Sequence, residues 1–478
     1  MTAKNKAING GKWITVSTII STAFQFIQVS ILARLLDPAV FGVVSVSTLI
    51  INFFYIFGNL GFSNSIISKQ ESDPKILSTL YYLGFILGAI IFVVIFFSSP
   101  LVVAYYKEPK LDRVIKIASF YFLIIYFGQI YLFLLQKELM FKSVAIIEIL
   151  GAVIGTTVAI TLAYNHFEEV SLIYGQLATQ TVRAVLSVVF GYKLFKPLFY
   201  FNFKAIQDHL RFGLYNVGDG VLGFVQGNSD NILVGGLLGV KLLGYYTIAY
   251  QLAIFPITKL NPIILQVAYP MIAKMKSDDN LIKQSYIKIL DLVSYLNFPL
   301  LAGLLVTADS VVPLLYGEGW DETIHLIKIF VFVSAFNCLT NPLFTLAFAK
   351  GKPNLLFYLN LIILVIKIPL IYIFSNYWGI TGIAFAFLTA TFIDLILAFF
   401  VTQYLIGDFF KEFMTNLAKP LLFCLAMILA VGIYKMYAGQ EGVLHTLAQV
   451  VIGGLIFLGL TFRFKVSLSE VKSFRQSL

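Results

Sequence analysis

The chain of 478 residues is 59% hydrophobic and 12% charged, with a mean hydropathy of +0.88 and a formal net charge of +10. A soluble domain carries about 25% charged residues, so this composition excludes a water-soluble enzyme and points to an integral membrane protein. The two cysteines, Cys338 and Cys424, fall in separate apolar runs, which excludes a disulfide framework and a thiolate metal cluster.

A helix needs roughly 20 apolar residues to cross a hydrocarbon core of about 30 Å. Runs of that kind predict fourteen spans, at 13–36, 39–67, 77–104, 114–135, 143–164, 170–195, 211–239, 242–270, 286–315, 323–348, 355–375, 380–406, 417–437 and 444–462. They are too long and too uniformly apolar for the alternating strands of a barrel, so the predicted class is all-α. The first run follows Lys4, Lys6 and Lys12 as a signal peptide would, but it outlasts an h-region and contains Gln25 and Gln28. It is therefore read as a retained helix. Helices 13 and 14 are almost wholly apolar and carry Gly432, Gly453, Gly454 and Gly459.

Lysine and arginine in the connections set the orientation. The N-terminal tail and the even-numbered connections hold most of them, whereas the odd-numbered side has Arg34, Lys107, Lys110, Arg113, Lys241 and Lys435. Both termini are thus expected in the cytoplasm, and the positive charge is assigned to anionic lipid, with no nucleic-acid partner. The basic stretch Lys107 to Arg113 dissents from this pattern.

The sequence also matches itself. At an offset of 202, "ARLLDPAVFGVVSVSTLI" from Ala33 lies over "GGLLGVKLLGYYTIAYQL" from Gly235, placing Gly42 on Gly244, and the sixth span lies over the twelfth at an offset of 211. Six is even, so two such halves enter the membrane from the same side as parallel repeats. The expected domains are 1–200 and 201–406, each a six-helix bundle, and 407–478 with helices 13 and 14 and a cytoplasmic tail.

A chain of two parallel six-helix halves plus two helices resembles the multidrug/oligosaccharidyl-lipid/polysaccharide exporter superfamily. "ILARLLDPAVFGVVSV" (Ile31 to Val46), "QKELMFKSVAIIEI" (Gln136 to Ile149) and "QVAYPMIAKM" (Gln266 to Met275) are similar to the Wzx-type polysaccharide transporter branch. The resemblance implies two bundles around a central cavity with alternating access, in the cytoplasmic membrane of a bacterium. It implies as cargo an oligosaccharide on undecaprenyl diphosphate, flipped for surface polysaccharide assembly of the O-antigen, exopolysaccharide or teichuronic acid type. Polymerase and export proteins are its candidate partners beside membrane lipids. By resemblance to the lipid II flippase branch, helices 13 and 14 are a candidate groove for the lipid tail.

The seventh span, 211–239, carries the clearest functional signal. At 100° per residue Asp219 and Asp230 lie about 20° apart, in one stripe with Asn216, Gly220, Gly223, Gln226 and Gly227. A charge facing lipid costs at least about 2.5 kcal/mol, so this face is expected to look onto protein or a watery path. Gln28 in the first span occupies the position matching Asp230. Arg183 and Asp394 hold equivalent positions of opposite sign in the sixth and twelfth spans; Lys367 is central in the eleventh and Lys259 in the inner half of the eighth. Cations at that depth suit a diphosphate or an acidic sugar. Arg34 and Lys328 stand near helix ends, where snorkelling is expected, and Glu148 and Asp291 near the inner boundary, where solvation is expected. Asp219 is also the candidate carrier of a counter-transported H+ or Na+, the alternative being that consumption of product outside drives the flip.

His166, His209, His325 and His445 lack metal-ligand spacing, and no phosphate-cradling Walker sequence occurs. No catalytic residue, cofactor or metal is expected, and the chain is read as a transporter and not as an enzyme. The rival readings are a cation-coupled multidrug exporter of the same superfamily and a membrane polysaccharide polymerase.

Overall fold

The computed structural model describes residues 3–59, 66–275, 278–439 and 442–464. The apolar runs become helices because hydrocarbon offers the backbone no hydrogen-bonding partner, so each segment must satisfy its own N–H and C=O groups. In chain order these are α1 (Ala3–Leu35), α2 (Pro38–Asn59), α3 (Pro74–Tyr106), α4 (Lys110–Ala118), α5 (Phe120–Lys137), α6 (Phe141–Tyr164) and α7 (Glu168–Gly191). A 3-10 turn at Phe203–Ile206 leads into α8 (Gln207–Leu238), followed by α9 (Val240–Lys274), α10 (Asp279–Tyr316), α11 (Asp321–Ala349), α12 (Asn354–Ile406), α13 (Phe410–Ala438) and α14 (Val443–Phe464). Every predicted span has its helix. The fourth is broken at Ser119 into α4 and α5, and the eleventh and twelfth run together as α12.

The α12 junction is a sharp turn at Trp378 and Gly379, where Gly379 takes φ +56°, a left-handed value that suits glycine. Other boundaries follow from capping. Asp37 accepts from the Ala39 N–H at 2.8 Å ahead of Pro38, Asp73 accepts from Lys75 N–H at 2.8 Å ahead of Pro74, and the Asp278 carboxylate accepts from the N–H groups of Asn280 and Leu281. Each satisfies a donor that the first helical turn leaves open, and proline is tolerated there because its missing N–H is not needed. Among the described residues, eleven helices are long and apolar enough to cross a membrane by length and composition alone. The chain is a multi-pass membrane protein. α7 and α8 fall outside that apolar set because they carry Arg183 and the polar stripe of the seventh span.

By contact the chain divides into Met1–Gly244 and Tyr245–Leu478. The division falls between Gly244 and Tyr245, whereas the sequence-drawn boundary stands between 200 and 201, so α8 groups with the first unit. α2 and α3 explain this placement. A Cβ on Gly220 would come within 2.7 Å of Ile56, and the positions at Gly235 and Gly236 abut Tyr106 and Tyr105 at 2.6 and 2.5 Å.

Small residues bring the helices of the first unit together, as membrane packing requires when lipid tails are as apolar as leucine. Gly151, Gly155 and Ala159 on α6 face Gly175, Thr179 and Arg183 on α7; a Cβ on Gly155 would lie 1.8 Å from the Thr179 hydroxyl and 2.8 Å from the Gly175 carbonyl. Tyr126 on α5 fills a socket made by Gly58 on α2 with Gly84 and Gly88 on α3. The basic connection at Lys107 to Arg113 is met by acids. Lys110 pairs with Glu168 at 2.8 Å and Glu169 at 3.4 Å, tying this connection to the start of α7, and Lys116 pairs with Asp112 at 2.8 Å. Lys110 of this stretch thus finds its counter-charges at the start of α7, where α6 passes into α7.

In the second unit α13 and α14 pack on each other and on α10. A Cβ on Gly453 would touch Met427 of α13 at 3.2 Å, whereas those on Gly432, Gly454 and Gly459 meet nothing within 4 Å among the described residues. Tyr246, Tyr250, Phe330 and Phe387 form an aromatic cluster between α9, α11 and α12, with centroids 4.9 to 6.3 Å apart. Asn297 of α10 donates to the side-chain carbonyl of Asn261 on α9 at 2.9 Å, both residues being buried.

The closest backbone approach in the first unit joins the starts of α2 and α9. A Cβ on Gly42 would lie 1.7 Å from the Val240 carbonyl and 3.1 Å from the Gly244 nitrogen, and one on Gly244 would lie 1.9 Å from the Pro38 carbonyl and 3.1 Å from the Gly42 nitrogen. Pro38 with Val240 and Gly42 with Gly244 are both pairs at the offset of 202 seen in the sequence. The contact is thus reciprocal, each repeat offering the same glycine to the same carbonyl of the other. A backbone carbonyl cannot step aside as a side-chain tip can, so Gly42→Ala and Gly244→Ala should each cost about 1–3 kcal/mol. Thermal unfolding of the detergent-solubilised protein would read this as a lowered transition, with Gly11→Ala, at a position with open space, unchanged. Equal transitions for all three would contradict the packing.

Candidate functional site

The residues singled out in the sequence do not form one cluster; the structure sorts them by helix and by unit. Arg183 lies on α7 in the first unit and its guanidinium donates through Nη2 to Glu148 on α6 at 2.5 Å. Glu148 is therefore not a solvated boundary residue, as its position near the inner end of the span had suggested. It meets arginine because α6 and α7 are drawn together along their small-residue seam. A Cβ on Gly151, one turn further along α6, would sit 3.1 Å from Arg183 Cγ, so the glycine leaves a flat bed for the arginine stem. Both side chains of the pair are 32% exposed.

Around Arg183 stands a polar group with only a faint sequence signal. Gln129 of α5 is 7% exposed, and Tyr55 of α2 and Tyr121 of α5 both lie within electrostatic reach of the Arg183 charge. Among the described residues, the buried Nε of Arg183, the Nε2 of Gln129 and the hydroxyl of Tyr126 have no hydrogen-bond partner. A glutamine inside the apolar run "YFLIIYFGQIYLFLL" was the one visible clue.

α8 presents its stripe as drawn from the sequence only in part. Asp219 and Asn216 lie on the helix, but their side chains fall outside the described residues. Gln226 is half-buried, Asp230 is 1% exposed and held by its surroundings, and the Asn228 amide turns back to donate to the Phe224 carbonyl at 3.0 Å. Cβ atoms on Gly223 and Gly227 would meet nothing within 4 Å among the described residues, so that part of the stripe has open space before it. The matching stripe of α1 is used differently. Thr156 of α6 donates to the Gln28 side-chain carbonyl at 3.0 Å, and Ser21 donates to the Glu148 backbone carbonyl at 3.5 Å. Those two polar residues bind α1 to α6. Arg34 is exposed in the last turn of α1 and engaged there.

In the second unit Lys367 of α12 is 4% exposed, with its ammonium 4.0 Å from the centre of the Phe387 ring. An aromatic face is a favourable partner for a desolvated cation. Asp394, beyond the turn at Gly379 on the same helix, is half-buried, and its Oδ1 has no hydrogen-bond partner among the described residues. Lys259 is half-buried on α9, two residues before the Asn261 that pairs with Asn297. Lys328 forms an ion pair with Asp309 at 2.7 Å, and Lys435 approaches the same carboxylate at 3.6 Å. Among the described residues no group of three or more histidine, cysteine or acidic side chains is placed to hold a metal ion.

Chemically, then, the helices hold cations and amide donors, an arrangement suited to binding an anion. Residues 31–325 match the family described as polysaccharide biosynthesis protein. The lipopolysaccharide biosynthesis protein WzxC of Escherichia coli is 32% identical over 421 residues, covering 88% of this chain and 86% of its own. The teichuronic acid biosynthesis protein TuaB of Bacillus subtilis is 26% identical over 454 residues, covering 94% of each. Among solved structures, the fold is similar to the lipid II flippase MurJ in an inward closed conformation, with a TM-score of 0.76 at 15% identity over 94% of this chain and 98% of that one. On this full-length similarity, the chain belongs to the polysaccharide biosynthesis protein family, in the Wzx-type polysaccharide transporter branch of the multidrug/oligosaccharidyl-lipid/polysaccharide exporter superfamily.

Proposed function

We propose that this protein is a flippase that carries undecaprenyl-diphosphate-linked oligosaccharide across the cytoplasmic membrane of a bacterium for surface polysaccharide assembly. The observation that carries the reading is Arg183, a guanidinium in the interior of a membrane bundle with donor capacity left unused. An arginine at that depth needs a partner, and its planar fork suits a diphosphate. The names of relatives that span nearly the whole chain support the same cargo class. Both termini lie in the cytoplasm in this reading, following the charge of the connections. The drug-exporter alternative fits less well, because Arg183 and Lys367 are cations at positions where such a cargo calls for acids. A counter-ion, H+ or Na+, would be carried by Asp219.

The direct test is reconstitution. Proteoliposomes holding the purified chain and a fluorescent undecaprenyl-diphosphate disaccharide should lose inner-leaflet signal to an outside quencher or lectin, and protein-free vesicles should not. The same assay with and without a proton or sodium gradient decides the coupling, since gradient-independent flipping removes the counter-ion.

Asp219→Asn and Arg183→Ala should each lower polysaccharide export about tenfold or more while the protein still inserts at normal levels. That is the scale of losing one charge-assisted hydrogen bond, about 1.5–3 kcal/mol. Full complementation of a deletion strain by both variants would remove these two residues from the site.

The lipid tail has no reason to leave the bilayer, because each CH₂ kept from water is worth about 0.8 kcal/mol. The open glycine positions Gly432, Gly454 and Gly459 make α13 and α14 its guide in this proposal. A photoactivatable undecaprenyl analogue should crosslink to these two helices; crosslinks confined to other helices would place the tail elsewhere.

A further inference from the structure

Glu148 has no part in the binding set drawn from the sequence, yet it holds the cation on which that set depends. Glu148 and Arg183 each stand about two turns from the end of their helix that the charge pattern assigns to the cytoplasm. The pair is accessible, with a third of each side chain exposed, so it is not a sealed structural link. Two buried donors in this part of the first unit are unused. Arg183 Nε and Gln129 Nε2 are buried without partners among the described residues, and the Tyr55 and Tyr121 side chains stand within electrostatic reach of the Arg183 charge. One carboxylate cannot satisfy this collection, whereas an anion with several oxygens can, since each oxygen accepts and none donates.

We propose that Glu148 is the resident counter-ion of Arg183, displaced when the anionic head of the cargo enters from the cytoplasmic side and returning to expel it. The inference rests on the flippase reading and deepens it. An empty site cannot leave an arginine bare in the membrane, so it keeps a carboxylate on it. The diphosphate brings more charge and more acceptor oxygens, takes the guanidinium together with the unused donors, and frees Glu148 to turn toward the exposed side. Competition between the two anions then sets affinity at a level from which cargo can leave. A site of donors alone would hold a diphosphate too tightly for turnover, and the carboxylate supplies the off-step. Gly151 serves the exchange by letting the arginine stem lie flat on α6, which holds the guanidinium in place as its partner changes.

The test uses the full chain in nanodiscs and measures equilibrium binding and dissociation of undecaprenyl diphosphate. A phosphate-free lipid glycoside ending in glucuronate is the second probe, separating a diphosphate from a sugar carboxylate as the displacing anion. Glu148→Gln should bind the diphosphate about tenfold more tightly and release it more slowly, a coupling of ordinary size between two competing ligands. Glu148→Asp, whose carboxylate stops one methylene short, should shift affinity about threefold in the same direction. Arg183→Gln should bind about tenfold more weakly, and the double variant should match it. A purely structural pair predicts the opposite for Glu148→Gln, with binding weakened as in Arg183→Gln. Unchanged or weaker binding by Glu148→Gln, or by Glu148→Asp if the glutamine variant does not fold, overturns the proposal while leaving the flippase reading intact. Absence of diphosphate binding by the wild-type chain overturns both. Tightening seen only with the glucuronate probe overturns the diphosphate as the displacing group.

Discussion

Hydrocarbon accepts neither an unpaired backbone dipole nor an unpaired charge, and this protein is organised around that refusal. Backbone groups are satisfied within each helix, which makes the chain all-helical among its described residues. Charges are satisfied between helices. Arg183 takes Glu148, Lys328 takes Asp309, and the Lys367 ammonium lies over Phe387. Each arrangement fixes which helices must be neighbours, so the rare charged residues constrain the fold more than the abundant apolar ones, which lipid would accept equally well.

The helices approach closely enough for those pairings because glycine and alanine stand where they meet. The α6–α7 seam shows the dependence. Gly151, Gly155 and Ala159 bring the two backbones together, and Arg183 and Glu148 can then reach each other across the same seam. Tyr126 in its socket of three glycines does the equivalent for α2, α3 and α5. Packing and electrostatics are therefore one device in the first unit. At the starts of α2 and α9 the contact of Gly42 and Gly244 is reciprocal, each glycine leaving room for a backbone carbonyl of the other segment.

Function follows from where that economy is incomplete. A transporter of an anion needs cations that are partnered when empty and available when loaded. In the proposed site the first unit would meet both demands with an accessible ion pair and the unused buried donors Arg183 Nε and Gln129 Nε2. The open space before Gly223 and Gly227 on α8 adds a face with room for a broad polar cargo. Lys367, sealed against an aromatic ring, is a cation of a different kind, held in the core of its unit.

Much of this was legible in the sequence, for a physical reason. Span length, connection charge and the twofold self-similarity are properties of contiguous chain in a medium of known thickness, and the fourteen predicted spans all have their helices. The stripe of Asp219, Gln226 and Asp230 could be drawn because 100° per residue is a local rule, and of its side chains the structure describes those of Gln226 and Asp230. Partnership was not legible, because it depends on which helices pack and at what height. Sequence placed Glu148 in solvent, whereas tertiary structure gives it to Arg183, and the partner that Gln28 finds in Thr156 could not be read from the chain. Tertiary structure also groups α8 with the first unit, through contacts with Ile56, Tyr105 and Tyr106 that no periodicity reveals. The sequence by itself determined that charges stand within the apolar spans of this membrane protein; only the packing of one helix on another decided which of them are already satisfied.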